Sequence, residues 1–158
     1  MVPDTIFPLM PNHIHFVLNS FEERGIALFM QKVFTAYTMY FNKRYHRTGA
    51  LFAGTYKSKH VSDDRYLKRL IPYVLLNAAD LVEPRWREHI KDIGKIKKNL
   101  IQYPYSSLPD FFHTKRPEVK IVGSGIREFY PATPSLGEMI TEARAFYRDH
   151  EKELRKMK

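Results

Sequence analysis

The run Met10-Pro11-Asn12-His13-Ile14-His15-Phe16-Val17-Leu18 narrows the folds open to this chain more than any other stretch. It reads as an extended segment entered through a Pro-Asn turn. In a strand, successive side chains point to opposite faces. His13 and His15 therefore share one face, while Ile14, Phe16 and Leu18 share the other and can be buried. Two imidazoles side by side on a sheet make half of a metal site. The competing reading is a pair of solvated histidines on a half-buried strand, because His-x-His is a short and common pattern.

The charge points to a partner. Of 26 Lys and Arg residues, 16 lie between positions 24 and 98, against 6 Asp and Glu there. That stretch carries +10, and the rest of the chain carries −1. A basic excess of this kind, interleaved with Tyr37, Tyr40, Tyr45, Tyr56 and Tyr66, suits a nucleic acid: the cations pair phosphates and the rings meet bases. A merely solvated basic surface is the alternative. The chain has no cysteine, which excludes disulfides, zinc-thiolate sites and thiol nucleophiles. No apolar run approaches the ~20 residues that span a bilayer, and Met-Val-Pro-Asp lacks the regions of a signal peptide. A cytoplasmic location with no membrane partner is the expectation.

Along the chain, residues 4–10 and 13–19 read as two extended stretches. A helix follows from about Gly25 to Tyr45, with Ile26, Phe29, Met30, Val33, Phe34, Tyr37 and Phe41 as a stripe expected to join the core. Thr55 to Val61 alternates as a strand that would set Lys57 and Lys59 side by side. Ser62-Asp63 caps a second helix over about 64–79, in which Pro72 should kink the axis just before Tyr73. Residues 82–91 form a connector with some helix, Ile93 to Gln102 a short basic helix, and Tyr103-Pro104-Tyr105-Ser106-Ser107 a turn. The stretch from Lys115 to Pro131 has no assignable pattern. A last helix opens on the capping box Ser135-x-x-Glu138 and runs to about Arg155.

Tyr73 and Asn77 stand four residues apart and so share a helix face. A tyrosine oxygen can be a nucleophile, and a carboxamide oxygen suits Mg²⁺ or Mn²⁺. With His13 and His15 the set is coherent: two imidazoles and one amide oxygen hold a cation that polarises a phosphate while the phenol attacks in line. Taken singly, Tyr73 reads as an ordinary half-buried helical tyrosine, and Asn77 as a helix-terminating residue that can also serve as a ligand.

Four blocks together carry a resemblance. Met10 to Phe16, Phe41-Asn42-Lys43-Arg44-Tyr45-His46-Arg47-Thr48-Gly49-Ala50-Leu51-Phe52, Tyr73-x-x-Leu76-Asn77 and Tyr103-Pro104-Tyr105-Ser106-Ser107-Leu108 occur in the order found in the single-tyrosine HUH transposases. The chain resembles most their branch associated with repeated extragenic palindromes. The resemblance implies an α+β fold, an antiparallel sheet with helices packed on one face in the ferredoxin-like manner. It spans a shortened domain over residues 1–111 that lacks the family's usual first strand and helix, and it leaves 112–158 as a C-terminal extension ending in a helix. It implies a transposase that binds hairpin-flanked single-stranded DNA, acting alone or as a homodimer. Such an enzyme uses Mg²⁺ or Mn²⁺ to cleave and rejoin the strand through a 5′-phosphotyrosine.

By that resemblance His13, His15 and Asn77 hold the metal and Tyr73 is the nucleophile. The expected nucleic-acid contacts are Lys43, Arg44, Arg47, Lys57, Lys59 and Arg69. Departures from the family pattern are Pro72 before the tyrosine, Leu75 and Ala78 where members often read His and Pro, and Thr55 where arginine is common. An inactive or domesticated member that only binds nucleic acid is the alternative. An RNA-processing nuclease also fits the charge but gives Tyr73 no role.

Overall fold

The computed structural model describes residues 4–112, 116–122, 130 and 132–157. Most of the Lys115 to Pro131 stretch thus lies outside the described residues. Among the described residues the architecture is α+β, with a two-stranded antiparallel sheet and five α-helices. Strand β1 (Asp4–Ile6) pairs with β2 (Val17–Asn19) in the register Asp4↔Asn19, Thr5↔Leu18, Ile6↔Val17. Both strands are shorter than their sequence patterns, but the hairpin continues beyond them through a bridge between Leu9 and Ile14. Met10 N–H donates to the His13 carbonyl at 2.9 Å, which closes the turn around Pro11-Asn12.

The segment Tyr103 to Ser107 lines the other side of residues 7–9. Leu9 N–H reaches the Tyr105 carbonyl at 2.7 Å, and Ser107 N–H reaches Phe7 O at 2.9 Å. The Ser107 hydroxyl accepts from Phe7 N–H at 3.0 Å, and the Tyr103 hydroxyl donates to Leu9 O. Two blocks that lie ninety residues apart in sequence are thereby joined beside the histidine hairpin.

Helix α1 (Gly25–Arg44) begins where Gly25 packs so tightly that a Cβ there would run into the Ser20 hydroxyl. Phe29 of α1 meets Phe16 of the hairpin edge to face, 5.9 Å between centroids. Residue 16 thus faces α1, whereas Val17 packs with Ile6 against the main core. The expected apolar stripe of α1 does not join that core. Only Gly25 and Met30 are buried in the helix, and Tyr37, Met39 and Tyr40 are exposed. The physical reason is that, among the described residues, no other helix or strand packs over the C-terminal half; the return loop crosses it, with Phe52 stacked on Phe34 at 4.3 Å.

Thr55 to Val61 is not a strand. Its backbone joins no ladder among the described residues, and all but Val61 are exposed. Alternation alone does not make a strand: neither Thr/Lys/Lys nor Tyr/Ser/His offers a face worth burying, so nothing recruits a partner.

Helix α2 (Asp64–Leu75) is capped by the Asp63 carboxylate, which accepts from Arg65 N–H at 2.7 Å and Tyr66 N–H at 3.1 Å. These bonds hold its pKa below the ordinary value. The helix runs on through Pro72, then tightens to a 3-10 helix over Leu76–Leu81, not an α-helix to residue 79. Pro72 has no N–H to give the Lys68 carbonyl four residues back. The Tyr130 hydroxyl supplies the missing donor at 2.6 Å.

Residues 82–91 turn without regular helix and lead to α3 (Ile93–Gln102), the short basic helix expected from the sequence. One turn, α4 (Leu108–Phe111), follows. Helix α5 (Leu136–Met157) opens on the expected capping box: Ser135 N–H donates to Glu138 Oε2 at 2.7 Å and Glu138 N–H to Ser135 Oγ at 3.2 Å. Met139, Ile140, Ala143 and Phe146 are buried against α2, with Ile71, Leu75, Trp86, Ile96 and Leu100 in the same cluster. The C-terminal stretch is therefore part of the core that holds α2. No helix among the described residues is long and apolar enough to cross a membrane.

Candidate functional site

The hairpin brings His13 and His15 together as their spacing requires. Their rings meet edge to face at 84°, with centroids 4.9 Å apart. His13 Nδ1 lies 2.7 Å from the Asn12 side-chain oxygen. An Nδ1–H donated to that oxygen leaves the basic lone pair on Nε2, the tautomer a metal-ligating histidine uses. His13 is exposed and His15 half-buried, so the pair opens to solvent on one side.

Tyr73 and Asn77 lie in the interior. Tyr73 is 5% exposed. Its ring lies 5.4 Å from Phe146 and 6.5 Å from Tyr147, nearly parallel to the latter. Burial is the largest influence on the phenol and raises its pKa; the Arg87 charge opposes this in part. Asn77 is 1% exposed and its amide is fully occupied. Nδ2 donates to the Tyr73 and Val74 carbonyls at 3.1 and 3.2 Å, taking two acceptors that further α-helical turns would use. Oδ1 accepts from an Arg87 guanidinium nitrogen at 2.6 Å. The sequence suggested both a terminating role and a ligand role for Asn77. The first is in place, and the oxygen needed for the second is turned to Arg87.

Arg87 is the residue that spacing did not reveal. It is 6% exposed, pairs with Asp80, and lies over the rings of Trp86, Tyr73 and Tyr147 at 4.9, 5.3 and 5.8 Å. Arg144 of α5 clamps this turn from outside, donating to the Arg87 and Glu88 carbonyls at 3.1 and 2.8 Å. The only local signal was an arginine beside the single tryptophan, too weak to mark it as inward-facing.

The expected nucleic-acid contacts divide. Lys43 and Arg44 sit exposed in the last turn of α1, and Arg47 follows with its guanidinium 5.6 Å from the Phe41 centroid. Lys57 and Lys59 are exposed, and Lys59 reaches the Tyr66 hydroxyl at 3.2 Å across that ring. Arg69 is committed elsewhere: it pairs with Glu142 and Asp149 of α5, each at 2.6 Å, and ties α5 to α2. Those bonds raise its pKa, the Asp149 contact first, and lower that of Asp149.

The two rings are near enough for one divalent cation and His13 has the tautomer for it, while His15 Nε2 is buried and Asn77 as arranged does not offer an oxygen. Among the described residues no third histidine or carboxylate completes the set. No protein-family model matches the chain, and no curated protein or solved structure is detectably similar to it.

Proposed function

We propose that this chain binds hairpin-flanked single-stranded DNA and cleaves and rejoins it through a covalent tyrosine intermediate, as the four sequence blocks suggest. The observation that carries the reading is the imidazole pair at 4.9 Å, beside the Tyr103–Ser107 block and on a chain with a basic middle half. Mg²⁺ or Mn²⁺ on His13 and His15 would supply Lewis-acid polarisation of a phosphate oxygen. Tyr73 supplies the nucleophile. Its phenolate oxygen attacks phosphorus, the bond to the 3′-oxygen breaks, and that oxygen leaves as a 3′-hydroxyl with a proton from water. Attack by a 3′-hydroxyl reverses the step and reseals the strand without an external energy source. To reach within ~3–3.5 Å of phosphorus, the phenol has to leave its packing against Phe146 and Tyr147.

A second reading, binding without cleavage, is favoured by a specific observation: both Tyr73 and Asn77 are committed to the interior and to Arg87. One experiment separates the two. Single-stranded hairpin DNA is incubated with Mn²⁺ or Mg²⁺ and the protein is run under denaturing conditions. The strand-transfer reading expects a slow-migrating protein–DNA adduct, lost in Tyr73→Phe and in His13→Ala while binding persists. Binding with no adduct on any hairpin selects the second reading.

A further inference from the structure

Between Arg24 and Ser62 the chain holds 39 residues without a single Asp or Glu, and with seven Lys or Arg. Within it, α1 leaves the body of the protein, and beyond Met30 none of its residues is buried. The helix ends in a Schellman turn. His46 takes φ 51° and Arg47 N–H reaches back to the Asn42 carbonyl at 3.0 Å. The chain then folds across the helix, with Asn42 Nδ2 donating to Gly49 O at 2.9 Å and Phe52 seated on Phe34. Phe34 and Phe41 face this return loop. Tyr37 touches Phe52 of that loop at 6.3 Å and is 46% exposed, while Tyr40 and Tyr45 are left outside, 62% and 61% exposed, beside Lys43, Arg44 and Arg47.

Tyr40 meets Tyr37 at 6.4 Å and Tyr45 meets Phe41 at 4.5 Å, yet more than half of Tyr40 and of Tyr45 stays in water, a poor neighbour for a ring. The charge selects the partner. A second copy of this acid-free surface would be repelled, and a neutral apolar partner would strand the cations. A single strand offers what the surface lacks: base faces for the rings and phosphates for the cations.

We propose that the outer face of α1 is a stacking platform for the bases of single-stranded DNA, with Tyr40 and Tyr45 as its principal rings, Tyr37 flanking them, and Lys43, Arg44 and Arg47 on the phosphates. The inference rests on the reading that the chain binds single-stranded DNA, and it places a second contact away from the histidines. Tyr40 is eleven residues along the helix from Phe29, where α1 meets the hairpin, or about 16 Å of helix axis. Because the platform contains no metal ligand, it holds DNA in the absence of a cation.

The test is fluorescence anisotropy of a labelled oligothymidine and of an abasic strand of equal length, both in EDTA. The expected result is that the wild type prefers the oligothymidine, and that the double variant Tyr40→Ala/Tyr45→Ala loses at least about tenfold in affinity for it. Tyr40→Phe/Tyr45→Phe keeps the rings and should stay close to wild type. Circular dichroism checks that both variants fold. Equal binding of the abasic strand, or an unchanged alanine variant, overturns the platform, as does a lack of binding to either strand. Sedimentation gives another contrary outcome: a dimer that the alanine pair dissociates would make this face a self-interface. Loss of the adduct with tyrosine-dependent binding intact removes cleavage and leaves the platform. An adduct with the alanine pair binding normally does the reverse.

Discussion

Arg87 brings a full charge under a roof of aromatic rings, where its attraction to Asp80 and the Asn77 oxygen has to offset the loss of hydration. Arg87→Ala would leave Asp80, only 24% exposed in its side chain, without a cation, and Asn77 without its donor. The expected cost is about 3–5 kcal/mol, read by chemical denaturation. Arg87→Lys should recover little, because one ammonium cannot span both acceptors as the planar fork does. In the strand transfer proposed above, Tyr73, over which this guanidinium lies, would carry the pH dependence. Only the phenolate attacks, and burial raises the phenol's pKa above the ordinary ~10. Adduct formation should therefore keep rising with pH from 7 to 10 without a plateau; a plateau near neutrality would place the titrating group elsewhere. The Tyr73–Asn77 pairing could be read from a four-residue spacing. Arg87 could not, since nothing in a surface-like sequence says which arginine the tertiary packing turns inward.

The helices show a similar division. The capping box at Ser135-x-x-Glu138, the Asp63 cap and the basic helix over Ile93–Gln102 are local devices, and each forms where its residues require. What depends on a partner could not be read locally. Among the described residues, 55–61 alternate but join no ladder, and the stripe of α1 has no helix or strand over most of its length. Pro72 adds a long-range device, the Tyr130 hydroxyl that takes over the Lys68 carbonyl. Tyr130→Phe should cost about 1 kcal/mol in thermal unfolding. That loss should shrink in a Pro72→Ala background, where a backbone N–H returns; additive losses would deny the link. Acid acts at the same scale. Asp63, Glu138 and Asp149 all have lowered pKa values in the folded chain. Their contribution is complete above the ordinary carboxylate range near ~4 and is lost as pH falls through the lower folded values. Helix content followed by circular dichroism should hold steady down to that range and fall below it.

In the whole molecule, two constellations stand on different supports. The histidines ride on a hairpin zipped to Tyr103–Ser107, while Tyr73 rides on α2 and Asn77 on the 3-10 helix after it; Arg69 and the Phe146 cluster lock α2 to α5, and Arg144 ties α5 to the turn that carries Arg87. The sequence order of the blocks suggested the chemistry we propose. The lock was not legible, because it is built from α5 residues far along the chain whose charges read as an ordinary solvated face. Strand transfer needs the phenol to come out of this lock and meet a phosphate held at the imidazoles. The most direct measurement is mass spectrometry of protein incubated with a single-stranded hairpin and Mn²⁺, then digested with nuclease and trypsin. The account predicts a residual nucleotide on Tyr73, joined through a 5′-phosphate and absent when His13 is replaced. A nucleotide on any other tyrosine, or none on any peptide of a chain that binds the hairpin, would contradict it.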